Sequence, residues 1–170
     1  MSHFAKVIGG IVAEEELLSA ISKDEEIQNH IHFYLTLGDD FTKHREDDDY
    51  VSRWSVDGDA AGRVHEALKG LYSQLTDDEL ISESEMVSRF LESLKKMNVD
   101  FRDEEIAKRW LKLGKGISKN PLGEMGKVTA SGVKARGIKD YAYLMMRKHG
   151  SPMHFREVAE AITNTFEKKC

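Results

Sequence analysis

Apolar residues recur at intervals of three and four along most of the chain, the pattern of helices that bury one face. Glu14 to Ile21 forms a short candidate helix. Asp24 stands where an N-cap belongs for the next one, on which Ile27, Ile31, Tyr34 and Leu35 share a face and which Gly38 ends. Ala61, Val64, Leu68, Leu71 and Leu75 mark a third helix begun near Asp59, with Asp57 and Asp59 as capping acids. Thr76-x-x-Glu79 and Ser82-x-x-Glu85 both have capping-box spacing, and the second precedes a strong helix with Met86, Val87, Phe90, Leu91, Leu94 and Met97 on its core side. Asp103 caps a further helix carrying Ile106, Trp110, Leu111 and Leu113. The last periodic segments are 138–148 and 155–167.

Two stretches break the rhythm. "GDDFTKHREDDDYVSRWSVDGD", from Gly38, is a polar connection anchored by Phe41, Tyr50, Val51, Trp54 and Val56, so it packs. "GKGISKNPLGEMGKVTASGVKARG", from Gly114, holds six of the thirteen glycines and one of two prolines, yet Ile117, Leu122, Met125 and Val128 are spaced to dock on something. Period-two alternation is nearly absent. The pattern therefore predicts a mainly α protein: a helical bundle over 1–115, a glycine-rich connector over 116–137 and a closing helical element over 138–170. Trp54 and Trp110 are expected in the core, since large aromatics dominate local burial.

Composition adds little until charge is resolved along the chain. The 170 residues are 40% hydrophobic and 32% charged. No apolar run approaches the ~18 residues that a membrane span needs. The apolar stretch from Val7 to Ala13 is too short and too weakly basic at its flank for a signal peptide. One cysteine, Cys170, fits a reducing, cytoplasmic setting and suggests no nucleophile. The net charge of −5 hides a split: residues 1–105 carry 11 Lys+Arg against 25 Asp+Glu, a net of −14, and residues 106–170 carry 14 against 5, a net of +9. The two parts attract each other, or the basic part serves an outside polyanion.

Motifs for chemistry fail on inspection. His30-x-His32 would bring two ligands together on a strand, but on a helix they diverge. "DGDAAG" from Asp57 lacks the later ligands of a calcium loop, with Ala61 and Leu68 at ligand positions. "GEMGKVT" has Pro121 where a P-loop needs its first glycine and Val128 where it needs a hydroxyl. No catalytic constellation, metal site or cofactor motif is found, so a non-enzymatic protein is expected. The basic part offers Lys119, Lys127, Lys134, Arg136, Lys139, Arg147, Lys148 and Arg156 as nucleic-acid contacts, with Lys108, Arg109, Lys112 and Lys115 ahead of them.

"ISKNPLGEMG", "ARGIKDYAYLMMRKHG" and "SPMHFREVAEAI" occur in order between Gly116 and Ile162. This set resembles the junction into a HARE-type helix-turn-helix, the winged-helix module also found in the delta subunit of bacterial RNA polymerase. In bacterial sigma-factor-like proteins that module follows a helical middle region, which "IHFYLTLGDDFTKHRED" followed by Trp54 also resembles. Ala135-Arg136-Gly137 departs from the Pro-Arg-Gly that the family favours, leaving that turn less rigidly set. The resemblance implies a transcription-associated protein that binds DNA weakly and salt-dependently, or RNA polymerase, and a winged helix cut short at Cys170. Its two helices are expected to pair through Tyr141, Met145, Phe155, Val158, Ile162 and Phe166, and to lean on the bundle, the connector or a second copy of the chain. The helix after the proline starts behind His154 as a ring cap, or else at Ser151 with Pro152 in its first turn. The rival expectation is a protein-interaction module with no nucleic-acid role.

Overall fold

The computed structural model describes residues 9–56, 58–97 and 103–166. Expectations that fall on Val7, Asp57, Glu167 and Cys170 lie outside them. The chain divides into two compact units, residues 1–74 with 84–117, and residues 75–83 with 118–170. The protein is mainly α, with seven helices and six short strands among the described residues.

The first unit begins with β1 (Ile11–Ala13), which runs directly into α1 (Glu14–Ile21). In α2 (Glu25–Leu37) the Asp24 carboxylate accepts from the backbone N–H of Glu26 and Ile27, the cap that the sequence indicates. The polar connection holds β2 (Thr42–His44) and β3 (Arg53–Ser55). They join β1 in an antiparallel sheet of order β1-β3-β2, with Val12 and Lys43 both opposite Trp54. Sequence periodicity gave no hint of this sheet, because strands of three residues are too short to show alternation. All three residues of β3 are buried, as befits a central strand.

Three helices supply most of the apolar interior: α3 (Gly58–Gln74), α4 (Glu83–Lys96) and α5 (Glu104–Leu111). Val64, Leu71, Phe90, Leu94, Trp110 and Leu111 are buried at the helical spacing the sequence shows. Trp110 is 3% exposed, meets Phe90 edge-on, and donates its indole N–H to the Ile11 carbonyl at 3.2 Å. Trp54 is 1% exposed, in a cluster with Val12 and Leu17. Gly9, at φ 67°, lies so close under Trp110 that a β-carbon there would come within 2.7 Å of the ring. The face of α2 differs from expectation. Ile27 and Tyr34 point outward and no residue of the helix is fully buried, because Leu35 and His32 make its contacts with the Trp54 cluster.

The second unit holds a second antiparallel sheet, of order β4-β6-β5, from β4 (Ile81–Ser82), β6 (Glu124–Lys127) and β5 (Ile117–Lys119), whose first residue belongs to the first unit. Much of the expected connector is thus strand and turn. Buried Asn120 makes the turn: its side-chain oxygen accepts from Leu122 and Glu124 N–H, and Gly123 takes φ 89°. Gly126 packs so closely on the Glu79 carbonyl and Leu80 that no side chain fits. The Thr76-x-x-Glu79 spacing yields a turn here and no helix, although Glu79 does accept from Thr76 N–H.

In α6 (Ile138–His149) the Asp140 carboxylate accepts from the N–H of Arg136 and Gly137, and Gly150 closes the helix at φ 74°. After an extended Ser151-Pro152-Met153, α7 (Phe155–Phe166) starts behind His154. Its Nδ1 accepts from Arg156 N–H at 3.4 Å while Glu157 accepts from His154 N–H at 2.9 Å, a reciprocal cap that decides against the Ser151 start. Tyr141 stacks on Phe166 at 4.4 Å, and Thr165 reaches the Met145 sulfur. Phe155 departs from the expected seam. It is 69% exposed and lies against His154 and Arg156.

Candidate nucleic-acid interface

The twelve candidate cations fall into two groups once their partners are known. In the first unit, Lys108 pairs with Glu105 at 2.6 Å, Arg109 with Glu16 at 3.0 Å, and Lys115 with Glu46 while donating to the Asp47 carbonyl. These charges serve the unit's own acids; Lys112 is exposed and makes no ion pair among the described residues. In the second unit, Lys119 on β5 pairs with Glu83 at 2.7 Å, and Lys127 on β6 pairs with Asp77 at 2.9 Å. Both anchor the 75–83 excursion to the sheet.

Six sequence candidates remain outward. Lys134 and Arg136 lie in the approach to α6, Lys139 in its first turn, Arg147 and Lys148 in its last turn, and Arg156 in the first turn of α7. All six are exposed, and none makes an ion pair among the described residues. Lys139, Tyr143 and Arg147 are spaced four apart, so they follow one edge of α6 with a rise of about 6 Å per step. Tyr143 and Met146 on this edge are exposed as well. Arg147 and Lys148 also face the negative end of the α6 dipole, which stabilises the helix itself. Asp140 accepts from the N–H groups of Arg136 and Gly137 just ahead of α6, so a carboxylate already stands at that positive helix end.

A second polar cluster, in the first unit, escaped the sequence reading. Buried Arg53 donates from Nε to His65 Nε2 at 2.8 Å, from Nη1 to the Val51 and Arg45 carbonyls, and from Nη2 to Asp47 at 3.4 Å. Its guanidinium lies over the Tyr50 ring, and Tyr50 donates its hydroxyl to the His65 carbonyl. His44 and Ser55 share a 2.8 Å hydrogen bond beside them. That spacing suits a nucleophile and its base, but Ser55 is buried and out of a substrate's reach. Burial, then Arg53 and His44, push His65 down to about 4. Burial and Arg53 lower His44 too. The cluster is a structural knot tying the acidic loop to β3 and α3. Its sequence signal is a lone arginine set between Val51 and Trp54.

A neighbouring network centres on Glu14, which accepts from Trp54 Nε1 at 2.7 Å and pairs with Lys43 at 2.9 Å. Burial raises the carboxyl, but those two hydrogen bonds outweigh it and hold Glu14 below its usual range. An open depression of about 490 Å³ lined by Gly58, Asp59, Gly62, Arg63, Glu66 and Met97 gathers no buried polar group. No group of three or more potential metal ligands occurs among the described residues. No helix among them is long and apolar enough to cross a membrane. No family model, curated protein or solved structure matches the chain.

Proposed function

We propose that the second unit binds nucleic acid, and that the chain is a non-enzymatic, transcription-associated protein. The observation that carries this reading is the set of six outward cations on one unit, with Lys139 and Arg147 flanking exposed Tyr143 along a single helix edge. Cations in such a row release counterions from a phosphate backbone, and an interleaved aromatic offers a surface for a base or sugar. The resemblance to sigma-like proteins adds transcription as the setting, DNA as the polyanion, a partial winged helix as the fold of α6 and α7, and RNA polymerase as a protein partner.

The test is a salt titration of the full chain on a labelled duplex. Four phosphate contacts give a log–log slope of about −3.6. Lys139→Gln with Arg147→Gln is expected to reduce that slope by about two. Binding that ignores salt, or an unchanged slope in the double variant, overturns the reading. Co-sedimentation with purified bacterial RNA polymerase tests the protein partner separately.

A further inference from the structure

The outward face of α2 leaves four large apolar side chains open to solvent. Phe33, Tyr34 and Leu37 are 58%, 70% and 64% exposed, and exposed Ile27 lies about two turns before Tyr34 on the same side. The Phe33 and Tyr34 rings meet edge-on at 6.1 Å, forming a raised aromatic pair. A contiguous patch of this kind marks a contact surface more often than an accident of folding.

The charges around it indicate what covers it. Asp24, Glu25 and Glu26 stand at one end of the helix, Asp39 and Asp40 just beyond the other, and no Lys or Arg lies between Lys23 and Lys43. Acids at the N-terminus suit the helix dipole. Asp39 and Asp40 stand at the wrong end for that, where carboxylates oppose the dipole, and they make no ion pair or side-chain hydrogen bond among the described residues. Folding gives them no role, whereas a cation arriving from outside does.

We propose that this face docks a basic amphipathic helix from another protein, with apolar residues at i, i+3, i+4 and i+7 against Ile27, Phe33, Tyr34 and Leu37, and lysines or arginines at both ends. Glu26 to Leu37 spans about 16 Å at helical rise and Asp39 and Asp40 lie beyond it, so the partner helix is at least about eleven residues long. A second copy fits poorly. Set antiparallel, it places Glu25 and Glu26 against Asp39 and Asp40; set parallel, it places each acidic end on itself. Nucleic acid and anionic lipid are repelled by the same rim. The surface is separate from the cations of the second unit, and its failure would leave that reading standing.

The probe is a pair of labelled sixteen-residue peptides with one leucine face, one flanked by lysines and the other by glutamates, titrated with the full chain by fluorescence anisotropy. The lysine peptide is expected to bind at least tenfold tighter. Phe33→Ser with Leu37→Ser removes exposed atoms and is expected to cost at least tenfold in that affinity. Asp39→Lys with Asp40→Lys, which leaves the apolar face intact, is expected to narrow the gap between the peptides. Equal binding of both peptides overturns the proposal, as does indifference to both double variants. So does concentration-dependent dimerisation that Leu37→Ser abolishes, which would make a second copy the occupant.

Discussion

Arg53 donates to His65 Nε2, which obliges that ring to be neutral with its proton on Nδ1. Protonation removes the acceptor and places a second cation against the guanidinium. The folded-state value of about 4 lies below the ordinary 6.5, so the unfolded chain binds more protons between those values. The stabilisation is complete above pH 6.5 and fades as pH falls toward 4, by about 1–2 kcal/mol once the screening of a half-exposed ring is allowed for. Glu14 and Asp47 are held below their usual range, so their losses begin lower, as acid reaches the carboxylates. Denaturant melts at pH 7.5 and pH 4.5 are expected to show this drop, and a His65→Gln variant to be weaker at pH 7.5 but flatter across the range. Trp54 is the other residue on which much rests. Trp54→Ala removes a buried ring and leaves Glu14 without its indole donor, and is expected to cost about 3–5 kcal/mol in the same melts.

Among the elements, α7 depends most on its neighbours. None of its residues is fully buried, and its contacts run to α6 through Tyr141 and Met145. Its partner α6 buries Leu144 and Met145, and Leu144 packs near Gly132 and Leu80. Two helices without that support bury too little to stand alone. Residues 133–170 expressed by themselves are therefore expected to show little helical circular dichroism and no cooperative melt, while the full chain shows both. The helices were legible in the sequence because three- and four-residue spacing and capping acids such as Asp24 and Asp103 are local signals. The two sheets were not, because β4 is two residues long and pairs with a strand far along the chain, and β3 reads as polar until its burial is known. The outward cations were legible as a set. Their sorting was not, because Asp77 and Glu83 lie 50 and 36 residues from Lys127 and Lys119.

For the whole molecule, charge follows use more than position in the sequence. The second unit holds 10 Lys+Arg and 9 Asp+Glu over residues 75–83 and 118–170, nearly balanced. Yet five of its acids work internally: Asp77 and Glu83 pair with lysines, Asp140 and Glu157 cap helices, and Glu124 accepts from Asn120. Lys134, Arg136, Lys139, Arg147, Lys148 and Arg156 are left for solvent or a ligand. Glu83→Gln would release Lys119, steepening the salt dependence of duplex binding by about one slope unit. The matching loss of stability is expected to stay at about 1 kcal/mol or less, read from a melt of the same variant.

The excursion of residues 75–83 gives the backbone three passages between units, after Gln74, after Glu83 and after Ile117. It also fixes an order of events at the ribosome. Ile81 leaves the exit tunnel well before Met125, its partner across the sheet, does. With about 44 residues between them, and about 5–20 residues added each second, β4 waits roughly 2–9 s with its edge unpaired. Through that interval the nascent chain carries an open strand, which makes residues 79–83 the place where a trigger-type chaperone or a neighbouring nascent chain would first take hold.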